Sequence, residues 1–255
     1  MAKFEFNAEQ QYGNLSGADF NWFATHRNYS NTASWLVYQD SQKESLNPPA
    51  TIGNTKGDHI SFQAAIQANE TNFNGQTLVI LTNPASQKTL VSDADFEAFH
   101  HPSTTDRRLR YLAKNLQPNQ FQLELAGAFV TDMITNKWDS NPNAQNVWAG
   151  VSDAEIVDHL LVTANDLLVH GQNQPRTLDI VLAIHKSRRS DKIMNLLTAQ
   201  LQQIKAGNVS TEPTLTQAIQ ANRVRAFRLP FHPGVQGKGA QQTITAVRAG
   251  IKRIF

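Results

Sequence analysis

The chain has 255 residues, a formal net charge of +2 and no cysteine. That length supports one large core without covalent staples. The missing thiols exclude disulfides, thiolate catalysis, iron–sulfur clusters and cysteine-based zinc sites, and they fit a reducing compartment. No apolar run reaches the roughly 18–20 residues of a membrane span, and the stretch from Met1 to Asn14 lacks a signal-peptide core. A cytoplasmic protein without a membrane partner is expected. So mild a charge does not by itself announce a nucleic-acid binder. Base is concentrated locally, in Arg107-Arg108-Leu109-Arg110, Lys186-Ser187-Arg188-Arg189 and Arg223 to Arg228; a solvated helix face or loop is the ordinary reading of any one such cluster.

Residues 1–75 are rich in Asn, Gln and Ser and carry the aromatics Phe20, Trp22, Phe23, Tyr29 and Trp35. Ser34 to Tyr38 reads as a short strand, Lys43 to Gly57 as a loop, and Ile60 to Asn69 as a helix. This part is expected to be an N-terminal extension packing on the core formed by residues 76–255, and it has the composition to cover a sheet edge.

Four apolar runs follow: Thr77–Thr82, Ala128–Ile134, Thr177–Ile184 and Val224–Leu229. The first and third are nearly continuous in aliphatics, as central strands covered on both faces should be. Helical patterns lie between them. Asp153 to His170 places Ile156, Val157, Leu160, Leu161, Ala164, Leu167 and Leu168 on one stripe, with Ser152 and Glu155 in capping-box spacing and Gly171 as a stop. Asp191 to Ala206 repeats the pattern; Thr105 to Leu116 and Ala240 to Ile251 are shorter amphipathic segments. Alternating strands and helices predict a three-layer α/β/α sandwich around a central, mostly parallel four-stranded sheet.

In such sheets ligands bind outside the carboxyl ends of the strands. The residues that follow each run are therefore the informative ones. They are Asn83-Pro84-Ala85-Ser86, Thr131-Asp132, His185-Lys186-Ser187, and Phe231-His232-Pro233-Gly234; His100-His101-Pro102 precedes a helix. Each has a structural alternative: Asn-Pro is a common turn, and single histidines are often ordinary surface or core residues. The eight histidines form no H-E-x-x-H pattern, so no metal is expected. The segment Gly234 to Gly239, with Gly237 and Lys238, suits an anion nest at a helix N-terminus. Gly239 stands where a nucleotide-hydrolysing P-loop has Ser or Thr, which disfavours that reading.

In this order the pieces resemble the uracil-DNA glycosylase superfamily, nearest to its mismatch-specific, thymine-DNA-glycosylase-like branch. Leu81-Thr82-Asn83-Pro84-Ala85 matches a G-x-N-P-G strand end, and Phe99-His100-His101-Pro102-Ser103 an aromatic-His-Pro segment. Val130-Thr131-Asp132 matches an I-T-D triplet, Ile184-His185-Lys186-Ser187 a G-K-x-A turn, and Leu229 to Gly234 an L-P-x-P-S or H-P-S end. The resemblance spans about residues 75–255 and implies hydrolysis of an N-glycosidic bond in DNA, without metal or other cofactor, on a base turned out of the helix. It implies that Asn83 holds the attacking water and that His232 contacts the base oxygen where charge develops. Pro84, Ser86, His101, Thr131, Asp132 and His185 would surround the base, and Gly234, Gly237, Lys238 and Gly239 would grip DNA phosphates.

The chain departs from the pattern at Leu81 and Ala85, where the family has glycine, at Asp132, and at Gly234 in place of serine. An ionised Asp132 accepts but does not donate, so a base other than uracil fits that position. Two other readings stand beside the enzyme: a catalytically inactive protein of the same fold that binds nucleic acid, nucleotide or protein, and an unrelated α/β hydrolase or transferase acting on a small phosphorylated substrate.

Overall fold

Each of the four apolar runs forms a parallel strand, and the alternation of their side chains explains the layers. The computed structural model describes residues 6–37, 62, 73–82, 96, 109, 111–113, 115–117, 119–134, 148–171, 177–184, 187–230 and 240–255. The elements in chain order are β1 (Gln11–Tyr12), β2 (Leu15–Ser16), α1 (Gly17–Thr25), α2 (Tyr29–Thr32), β3 (Ala33–Trp35), β4 (Asn74–Leu81), β5 (Ala128–Asp132), α3 (Asp153–His170), β6 (Leu178–Leu182), α4 (Arg188–Lys205), α5 (Pro213–Gln220), β7 (Val224–Arg228), α6 (Ala240–Gly250) and β8 (Lys252–Arg253).

The main sheet has six strands in the order β3-β5-β4-β6-β7-β8. β5, β4, β6 and β7 are mutually parallel, while β3 and β8 close the two edges antiparallel. On β4, Leu78 and Ile80 enter one buried cluster and Val79 and Leu81 the other. Successive side chains of a strand point to opposite faces; here both faces are apolar because both are covered. α3, α4 and α5 supply the first cluster, and Leu109, Leu112, Leu116, Ile244 and Val247 the second. This is the three-layer α/β/α sandwich, with two short edge strands beyond the four that the aliphatic runs announce.

α3 begins and ends where its sequence says it should. Ser152 Oγ accepts from the Glu155 amide (3.1 Å) and the Glu155 carboxylate accepts from the Ser152 amide (2.7 Å), so two orphan donors are satisfied reciprocally. At its far end, Gly171 lies against Gly75 at the start of β4: a Cβ on Gly75 would come 1.5 Å from the Gly171 carbonyl oxygen. Only glycine permits that approach of helix end to strand.

The N-terminal elements lie on the α3 side of the sheet. β3 pairs with β5 through Ala33↔Thr131, Ser34↔Val130 and Trp35↔Phe129. The strand expected at Ser34 to Tyr38 thus begins one residue earlier. Of the helix expected at Ile60 to Asn69, Phe62 alone is described, and it is helical. The predicted loop Lys43 to Gly57 lies outside the described residues.

Candidate functional site

The strand order fixes where a ligand can be held. Along the parallel strands, β4 is followed in sequence by β5 on one side, and β6 then lies on the other. That reversal makes the C-terminal ends of β4 and β6 a topological switch point, where adjacent loops diverge and leave a crevice. The ladder continues past the strand ends: the amides of Met133, Ala183 and Leu229 donate to the carbonyls of Leu81, Ile80 and Leu182 at 2.9, 2.9 and 3.0 Å. Four chain segments therefore leave the sheet side by side, in register, at one edge.

Asn83, Pro84, Ser86, His101, His185, His232, Gly234, Gly237, Lys238 and Gly239 lie outside the described residues. Thr131 and Asp132 are described, both buried at the end of β5. The Thr131 hydroxyl donates to the Thr32 carbonyl at 3.3 Å, which ties the end of β5 to the residue before β3. Leu81, one of the departures from glycine, is only 2% exposed and packs with Val79 and Val130. Its side chain is taken up by the core.

Beside Asp132 stands a residue that sequence reasoning passed over. His159, in the second turn of α3, hydrogen-bonds with the Asp132 backbone, while its Nε2 is buried without a hydrogen-bond partner. The bond therefore belongs to Nδ1. Because it favours the protonated ring, Nδ1–H is the donor and the Asp132 carbonyl the acceptor. Burial, the largest influence, holds the imidazole below its ordinary range, and Arg27 acts in the same direction; Asp158 and Asp166 oppose. The outcome is a neutral ring with its lone pair on Nε2. The signal for it was a polar stripe, His159, Thr163 and Asp166, at helical spacing beside the apolar one.

That stripe carries a second network. The Asp166 carboxylate accepts from Tyr29 Oη at 2.8 Å and from Arg27 Nε at 2.6 Å, and Tyr29 Oη also contacts Thr163 Oγ1 at 3.3 Å. Burial pushes the Tyr29 phenol far above its usual range. These groups bind the α1–α2 junction to α3.

Of the basic clusters, Arg107, Arg108, Arg110 and Lys186 lie outside the described residues, while Arg189, Arg225 and Arg228 are engaged in structure. Arg189 donates to Asp153 Oδ1 at 2.7 Å, to the Trp148 carbonyl at 2.9 Å, and to the Val151 carbonyl. Lys192 pairs with the other Asp153 oxygen at 2.6 Å, and these cations hold that carboxyl below its usual range. Arg225 forks onto Asp179 on the neighbouring strand at 2.7 and 2.6 Å, and Arg228 reaches Asp191 at 2.7 Å. A groove between the first turns of α3 and α4 is lined by Ser152, Asp153, Arg188, Arg189, Lys192 and Leu196; in it Asp153 offsets two of the three cations, and Arg188 is exposed.

Comparison with known proteins gives no match: no family model, no curated protein and no solved structure matches the chain. No group of three or more metal-ligating side chains occurs among the described residues, and no helix among them is long and apolar enough to cross a membrane.

Proposed function

We propose that the chain is a DNA-base N-glycosylase, releasing a damaged or mismatched base, uracil or a related one, by hydrolysis that uses no metal. The observation that carries this reading is the parallel order β5-β4-β6-β7. It sets side by side the strand ends that immediately precede Asn83, His185 and the Phe231-His232 segment, with Thr131-Asp132 between them and the edge. Four of the five short motifs, scattered over the sequence, end or follow strands that this order makes neighbours.

The chemistry needs few groups. A base turned out of the duplex exposes C1′ of its sugar. The Asn83 carboxamide holds a water by its oxygen and aims it at that carbon. As the C1′–N bond breaks, its electron pair leaves with the base, the water oxygen bonds to C1′, and the water's proton is released. Negative charge collects on the base oxygen, where a hydrogen bond from His232 stabilises it. The core position of Leu81 removes one objection to a base entering beside Asn83.

The test is base release from oligonucleotides carrying uracil, hypoxanthine, xanthine, or a G·T or G·U mismatch, with a chelator present. Release that survives the chelator and falls roughly a hundredfold or more in both Asn83→Ala and His232→Ala is the expected result. Salt-sensitive binding without release would replace the enzyme by a binding protein of the same fold. Neither release nor binding would end the DNA reading.

A further inference from the structure

Among the described residues, His159 carries a buried ring nitrogen without a hydrogen-bond partner. A buried polar atom without a partner is rare in folded proteins and marks a water, an ion or a functional contact. His159 Nε2 is such an atom, and the opposite nitrogen is already fixed to the Asp132 carbonyl at the end of β5. The imidazole is thereby held in one tautomer and one orientation, with the Nε2 lone pair buried and unmatched. The groups around it are Asp132 on β5, Asp158 and Asp166 on α3, and Arg27 from the α1–α2 junction.

A neutral acceptor does not recognise a phosphate, whose oxygens are themselves acceptors. It recognises an N–H. A partnerless imidazole acceptor therefore complements a ligand edge that carries a donor. The exocyclic amino groups and ring N–H groups of nucleobases supply such edges.

We propose that His159 is a specificity-determining residue whose Nε2 accepts a hydrogen bond from a ring N–H or amino group of the base held at the C-terminal end of β5. The inference rests on the base-excision reading and adds to it the face of the base that is read. It also favours substrates that bring a donor to His159 over those that bring a carbonyl.

The decisive measurement is the nitrogen resonance of His159 in the full chain labelled with 15N-histidine, using Asn83→Ala so that the substrate stays intact. Oligonucleotides carrying uracil, hypoxanthine or xanthine, and the free bases, serve as probes. Before addition, the spectrum should show a proton on Nδ1 and none on Nε2; on binding, the Nε2 resonance should move. His159→Asn keeps a donor for the Asp132 carbonyl and deletes Nε2. Its affinity for the bound probe should fall about tenfold or more, while affinity for the analogue methylated at that nitrogen should be unchanged between the two proteins. Binding that leaves the His159 resonance still, or an equally tight His159→Asn, overturns this inference and leaves the glycosylase reading standing. Absence of binding by every probe overturns both.

Discussion

Burying a neutral imidazole makes stability depend on pH with a definite sign. Desolvation lowers the His159 pKa in the folded chain relative to an ordinary value near 6.5. Between those two values the unfolded chain binds more protons than the folded one, so stability falls as pH drops from about 6.5 towards the depressed folded value. Above that window the residue contributes no slope. His159→Asn cannot titrate, and urea midpoints between roughly pH 5 and 7 should therefore be flatter for the variant than for wild type. A second expectation concerns Tyr29. Asp166 is buried and takes a hydrogen bond from Tyr29 and a cation contact from Arg27, whose side chain is 50% exposed. Water screens that ion pair, so the phenol is the better shielded of the two donors. Tyr29→Phe should cost about 1–3 kcal/mol, the usual penalty for leaving a buried acceptor short of a donor. Chemical denaturation reads it directly, and a cost near zero would mean that solvent reaches Asp166.

Elements owe their form to signals of very different range. The capping box of α3 is local, and Ser152→Ala should remove about 1 kcal/mol by orphaning the Glu155 amide. Gly75 is constrained from afar: Gly75→Ala drives a methyl into the Gly171 carbonyl, and the strand must shift away from the helix end. It should cost more than the ~1 kcal/mol that glycine-to-alanine replacements ordinarily change in either direction. The same distinction decides what could be read from the sequence. The α3 stripe, its cap and the aliphatic runs of β4 and β6 are periodic and local, and they appear in the structure within a few residues of their expected ends. β8 has two residues; a strand so short has no period, and only its partner β7 defines it, whereas the aromatic and β-branched residues from Ser34 to Tyr38 announced β3. α5 is announced merely by Pro213 at its start and Leu215, Ala218 and Ile219 facing inward. His159 was hidden for a similar reason. Its meaning comes from Asp132 on a different element, whereas within α3 it is one polar residue among several.

The N-terminal residues and the sheet share one aromatic core, which has a consequence for the molecule as a whole. Phe20 meets Trp35 and Phe73 with ring centroids 5.4 and 4.8 Å apart. Phe23 and Trp35 meet Phe129 of β5 at 5.3 and 4.8 Å. Such pairs contribute about 0.5–1.5 kcal/mol each beyond the area they bury, and here they couple α1 and β3 to the sheet's own strands. β3 also supplies the antiparallel partner that covers the outer edge of β5, which would otherwise present unpaired backbone groups. Separate unfolding of this layer would strip Phe129 and expose that edge at once. Unfolding should therefore be a single transition. Tryptophan fluorescence of a chain with Trp138 and Trp148 replaced by Phe, which then samples Trp22 and Trp35 of this layer, and far-ultraviolet circular dichroism, dominated by α3 and α4, should give one coincident urea midpoint. Phe23→Ala, which empties a fully buried ring position, should cost about 3–5 kcal/mol and move both curves together. If fluorescence alone moved, the N-terminal layer would be an accessory that the sheet can shed. Coincident movement would instead make residues 6–37 part of the same cooperative unit as the strands whose ends carry the candidate site.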